Sequence, residues 1–205
     1  VAQHEAAGPQ VLMFGWLTDV SRSIVAELER HGIAVRHTHP PGVRVPGFAL
    51  SAAEIDSIES VIAIFDGDWV DSRFGGRRVS RRRLRADANE ACELATATAL
   101  TVGARRVLLI CDARRLPPGR RAIALQWTRG LTHRISYECL VNGLPELVAR
   151  YAVLDTDDVR DVADAVVTWQ QGAAADNRRR WPLNPVVGGT EVTPASSAPR
   201  RTPLS

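Results

Sequence analysis

Lysine is absent from this chain: all 26 basic residues are arginine. Without an ε-amine there is no Schiff-base nucleophile, no phosphate-loop lysine and no kinase lysine. Cysteine is sparse. Cys92, Cys111 and Cys139 are an odd number without metal-ligand spacing, and their apolar surroundings predict inert, buried thiols. No apolar run is long enough to span a bilayer. Val1 to Gln10 lacks the basic region and apolar stretch of a secretion signal. Charge of one sign is also lacking, since 23 acids leave a net charge of +3, which by itself does not argue for nucleic acid. The expectation is a cytoplasmic protein with no membrane and no nucleic-acid partner. Arginine in place of all lysine, with abundant alanine and valine, points to a GC-rich bacterial genome.

What is present is ordinary globular material, 45% hydrophobic and 24% charged. A length of 205 residues suits a single core. Val11 to Phe14 is an apolar run ending at Gly15, and Val20, Ile24, Val25 and Leu28 follow at helical spacing. Ile33 to Val35 then reads as a second strand, which makes a β-turn-α-β opening. Pro40 to Pro46 reads as a loop. Ser51-Ala-Ala-Glu54 is a capping box before a short helix. Ser60 to Phe65 reads as a buried strand, Arg77 to Leu100 as the longest helix, and Arg106 to Ile110 as another strand. Pro117-Pro118-Gly119 reads as a loop, Arg121 to Glu138 as a helix, Leu140-Val141 as a strand and Asp157 to Trp169 as a helix. Val186-Val187 is a candidate last strand. Strands alternating with helices predict an α/β fold, a doubly wound, mostly parallel sheet with helices on both faces. The predicted domain is residues 1–189, and the Pro-, Ser-, Thr- and Arg-rich residues 190–205 read as a flexible tail.

Several stretches stand in one order and register. Phe14-Gly15-Trp16-Leu17-Thr18-Asp19-Val20-Ser21 sits where a Thr-Gly-x-x-x-Gly-x-Gly turn would open a sheet. Phe65-Asp66-Gly67 sits where Asn-Ala-Gly would follow the fourth strand. Val107 to Asp112, Gly130-Leu131-Thr132, Val141-Asn142 and Asp161 to Ala165 continue the series. On these residues the chain resembles the short-chain dehydrogenase/reductase family from about Val11 to Gly189, and the resemblance implies a Rossmann-like single domain.

The same resemblance implies that the reductase chemistry is gone. The second and third turn glycines let dinucleotide pyrophosphate approach the backbone. Here they are Asp19 and Ser21, a carboxylate where a phosphate would sit and a side chain where none should be. Trp16 adds bulk, leaving Gly15 and Gly67 as remnants of a vestigial turn. Arg36-His37-Thr38-His39 offers no acid for ribose hydroxyls, although Arg36 could meet a 2′-phosphate. The family's tyrosine and lysine fall on Arg121 and Leu125, and its serine on Asp112 or the adjacent Cys111. Tyr137 and Tyr151 lie outside the expected position. Asn89 or Asp87 falls near the family's assisting asparagine. No cofactor is therefore expected on this chain, and NAD(P) is assigned to a partner subunit.

Other constellations carry less. His37-x-His39 lacks further spaced ligands for a metal. Cys111, Asp112 and His133 lack a glycine elbow or an oxyanion signature. Arg178 to Arg180 reads as loop surface. Arg77, Arg78, Arg81, Arg82, Arg83 and Arg85 crowd a helix start with cations, against the helix dipole, which points to an acidic partner or a phosphate ligand. The leading expectation is a non-catalytic subunit supporting an intact homologous oxidoreductase, with acyl-thioester or polyketide-type substrates implied by where such reductases work. A homodimer is also allowed. Arg81, Arg82, Arg83, Asn89, Cys92 and Trp127 are the interface candidates. The alternatives are an enzyme of altered mechanism in the vestigial cleft and a ligand-sensing regulator.

Overall fold

Short apolar runs separated by capped helices build the sheet from its centre outward. The computed structural model describes residues 8, 10–39 and 50–172. Strand β1 (Val11–Phe14) leads through a tight turn into α1 (Asp19–Arg30), then β2 (Val35–Thr38). Helix α2 (Ala52–Ser57) precedes β3 (Ser60–Phe65), and α3 (Gly67–Val70) runs on into a π-helical turn over Asp71–Gly75. Then come α4 (Arg81–Val102), β4 (Arg106–Asp112), α5 (Pro118–Val141), β5 (Val148–Leu154) and α6 (Val159–Gly172). All strand pairs are parallel, in the order β2-β1-β3-β4-β5. The chain leaves β1 toward β2 and then crosses back to β3, so the switch point of the sheet lies between β1 and β3.

Strand alternation sends successive side chains to opposite faces. Val11, Met13, Ile62, Ile64, Leu108 and Ile110 pack under α1 and α6. Leu12, Val61, Val107, Leu109 and Tyr151 pack under α4 and α5. With both faces covered, the fold is α/β with a fully parallel sheet, a Rossmann-like architecture. A smaller third cluster of Val70, Phe74, Leu84, Cys111, Leu116 and Ala124 seals the carboxyl end of β4.

Three local expectations are corrected. The second strand is Val35–Thr38 rather than Ile33 to Val35, because the chain first bonds Ile33 N–H back to Leu28 C=O as it leaves α1. Pro117-Pro118-Gly119 is no free loop: Pro117 caps α5 and Pro118 is its first residue, a position where proline's missing N–H costs nothing. Leu140-Val141 is helical, and α5 ends only at Asn142, before Gly143 at φ 108°. The strand assigned there is Val148–Leu154, where Arg150 interrupts the apolar run. Pro40 to Pro46, Val186-Val187, Gly189 and the tail 190–205 lie outside the described residues. No helix among the described residues is long and apolar enough to cross a membrane.

Candidate functional site

The carboxyl ends of β1, β3 and β4 converge on the β1–α1 turn. Gly15 has φ 147°, and a Cβ there would lie 3.1 Å from Ile64 Cβ and from its carbonyl oxygen. Glycine is therefore demanded by both conformation and space. Beyond it Thr18 caps α1 with a side-chain oxygen accepting from Ser21 N–H at 3.3 Å. Ser21 Oγ accepts from Thr18 N–H at 2.8 Å and donates to Trp16 C=O at 2.9 Å. Ser21 is fully buried. The turn thus satisfies its own first donors through a reciprocal capping box.

Asp19 stands in the first turn of α1, where a carboxylate complements the helix dipole. Arg114 bridges it to the end of β4. Its Nη1 and Nη2 donate to Asp19 at 2.9 and 3.0 Å. Its Nε and Nη2 donate to Asp112, both at 2.8 Å. The hydrogen bonds from Arg114 hold the Asp19 carboxyl below its usual range. The two carboxylates raise the Arg114 pKa further above its ordinary value, Asp112 most strongly. The four-bond clasp ties the start of α1 to the end of β4.

The residues singled out in the sequence for a cofactor or catalytic role take the following places. Arg121 donates from Nε to Leu116 C=O at 2.7 Å and from Nη2 to Arg114 C=O at 3.0 Å, stapling the β4–α5 loop. Leu125 points outward on α5, 40% exposed. Asp66 caps α3, accepting from the N–H groups of Asp68 and Trp69 at 3.0 and 2.9 Å. Gly67 is buried, with Asp112 Oδ2 3.4 Å from where a Cβ would stand. Arg115 pairs with Asp68 at the surface.

All three cysteines are free and buried. Burial pushes the Cys111 thiol up to about 12, against the smaller opposing effect of its hydrogen bond with Thr128. A nucleophilic cysteine needs the opposite shift. The half-buried His133 is held below its usual pKa by burial and then by Arg129. His37 is lowered by burial and then by His39. No group of three or more metal-ligating side chains occurs among the described residues.

The interface candidates divide. Arg81, Arg82 and Arg83 are exposed, and among the described residues none of the six clustered arginines enters a salt bridge. The nearby Arg73 pairs instead with Asp87 at 2.8 Å. Asn89 accepts from Arg134 at 2.9 Å, tying α4 to α5. Cys92 is buried between its own helices and sheet. Trp127 donates to Leu84 C=O at 2.9 Å and packs edge-on against Phe65 and Phe74. Cys92 and Trp127 serve the chain's own packing, while Asn89 remains exposed.

Sequence reasoning missed a cavity of about 290 Å³ at the switch point. Phe14, Trp16, Phe65, Trp69 and Leu94 give it an apolar wall, and Asp66, Asp87 and Glu90 add carboxylates. No arginine or histidine lines it. The signal available in sequence was the clustering of aromatics after β1 and β3, but only the fold brings them together. A parallel sheet covered on both faces, with a cavity where strand order reverses, defines a Rossmann-like domain. No family model matches the chain, and no curated protein matches it.

Proposed function

We propose that the chain is a non-catalytic subunit, similar to the short-chain dehydrogenase/reductase family, that works in complex with a catalytically intact homologue carrying the NAD(P). The observation that carries the assembly is α5. Its inner side buries Ala124, Thr128, Leu131, Ile135 and Cys139, yet apolar side chains continue around to exposed Leu125, Tyr137, Leu140 and Val141. A helix apolar on more than one side calls for more than one packing partner. In the family this helix pairs across a two-fold axis, which suits a homologue as the second partner and allows homodimers as well.

The strand order supports the reading, because the five strands follow the dinucleotide-binding order 3-2-1-4-5-6 without its third strand. The same order is also that of flavodoxin-like sheets, so the weight falls on the motif positions. There the capping box already uses the first donors of α1 and Arg114 is already paired with Asp19 and Asp112, which supports a turn that binds no pyrophosphate. The buried Cys111 thiol argues against a new nucleophilic mechanism in the old cleft. The cavity favours a second reading, a ligand-sensing regulator.

Co-expression with an intact homologue encoded beside it, followed by sizing and a reductase assay, tests the proposal. The two chains should co-elute, and Leu125→Glu with Leu140→Glu should separate them while each stays folded. An interface of the standard specific size buries about 1,600 Å² in total, and two unpaired carboxylates buried within it would oppose association. An intact homologue that is fully active alone and never co-elutes would end the proposal.

A further inference from the structure

The cavity at the switch point has a chemistry of its own, independent of whether α5 binds a partner. Its wall is made of aromatic rings, Phe14, Trp16, Phe65 and Trp69, and its charged lining residues are all acids. Two of those acids are engaged: Asp66 caps α3, and Asp87 is paired with Arg73. Glu90 is exposed on α4 and enters no salt bridge among the described residues. Trp16 is 47% exposed while lining the cavity, so one aromatic wall opens to solvent.

Aromatic faces are electronegative and attract a desolvated cation, most strongly when tryptophan supplies the ring. The chain already makes one such contact, with the Arg73 guanidinium 5.1 Å from the Trp69 ring centre. A phosphate or carboxylate ligand would meet the Glu90 carboxylate here and no lining cation. At about 290 Å³ the space is near the lower end of ligand pockets, about 300 Å³. We propose that this cavity binds a small organic cation with an apolar body, an alkyl- or arylammonium, its charge held by Glu90 and its body against Trp16, Phe65 and Trp69.

The test titrates benzyltrimethylammonium chloride into the full chain at constant ionic strength, reading tryptophan fluorescence and melting temperature, with benzylphosphonate as the anion of similar shape. The cation should bind saturably and raise the melting temperature, while the anion does neither. Glu90→Gln should weaken binding about twofold to fivefold, the range of an exposed charge pair. Trp16→Ala should weaken it about tenfold through lost ring contact. Both positions are exposed, and an unchanged circular dichroism spectrum confirms that each variant is folded. Equal binding of the anion, no saturation by the cation, or undiminished affinity in folded Glu90→Gln would each overturn the proposal. None of these results bears on co-elution with a homologue, so this inference and the proposed assembly fail separately.

Discussion

Arg114 is the residue whose loss should be felt most. Asp112 is only 4% exposed, and two of the four bonds of Arg114 go to it. Arg114→Gln would leave that carboxylate buried without its cation, at a cost of about 3 kcal/mol. For a chain of this size that is a fall in melting temperature of about 10 °C. Asp19→Asn removes an exposed partner and should cost under about 1 kcal/mol. Its effect has a pH signature. Asp19 has a depressed carboxyl pKa because Arg114 bonds its charged form. Its stabilisation is therefore complete above the unfolded value of about 3.9 and lost as pH falls through the lower folded value. Denaturant melts of the wild type and Asp19→Asn should differ by a constant amount from neutral pH to about pH 5 and converge only as the pH falls through the lowered carboxyl value. A difference that widens on acidification would show that the clasp does not hold the charged form. Sequence reading saw Asp19 and Asp112 as misfits in a cofactor site. It could not see Arg114 joining them, because a bond across 95 positions of sequence exists only after the sheet forms.

At the scale of elements, the sequence was most legible where periodicity and caps agreed. The α1 register of Val20, Ile24 and Leu28, the Ser51–Glu54 capping box and the strand over Ser60–Phe65 all stand as read. It was least legible where a local signal competed with a longer one. Leu140-Val141 has strand-like residues but lies on a helix that meets no proline after Pro118 and runs on through Gly130, and in β5 Arg150 masked a buried strand. The start of α4 poses a different problem. Ser80 caps it, accepting from Arg83 N–H at 3.3 Å, yet Arg81, Arg82 and Arg83 bring like charges to the positive end of the helix. With no salt bridge among the described residues, these cations add little to the fold. Replacing the three by glutamine should leave stability unchanged or raise it by about 0.3–1 kcal/mol. If they meet an acidic partner, the same change should weaken assembly and flatten its salt dependence, since exposed charges are screened by ions. Calorimetric melts and sizing across a salt series read both effects. A marked loss of stability would mean that the arginines serve the fold, and unchanged, salt-independent assembly would mean that they are only a solvated face.

Across the whole molecule, the sheet and the β1–α1 turn argue in different directions about cofactor binding. The sheet, its switch point and both helical layers form a complete Rossmann-like body, while the positions that would receive a dinucleotide serve as caps, clasps and loop staples. Thr18 and Ser21 use the first donors of α1, Arg114 is paired with Asp19, and the adjoining cavity is lined by acids. A ligand that binds only the native state raises its stability by RT ln(1 + [L]/Kd), about 2.7 kcal/mol at a hundredfold excess over Kd. NAD(H) and NADP(H) at millimolar concentration should therefore leave the melting temperature of the isolated chain unmoved, although a functional site of micromolar affinity would shift it by several degrees. Removing a single obstacle should not rescue binding. Asp19→Gly deletes one carboxylate but leaves the Ser21 box closed, Asp112 paired to Arg114 and Glu90 at the cavity. A clear cofactor-dependent rise in melting temperature for the wild-type chain would contradict this outcome directly. It would mean that Arg114 can leave its carboxylates to accept a phosphate, turning the clasp into a gate.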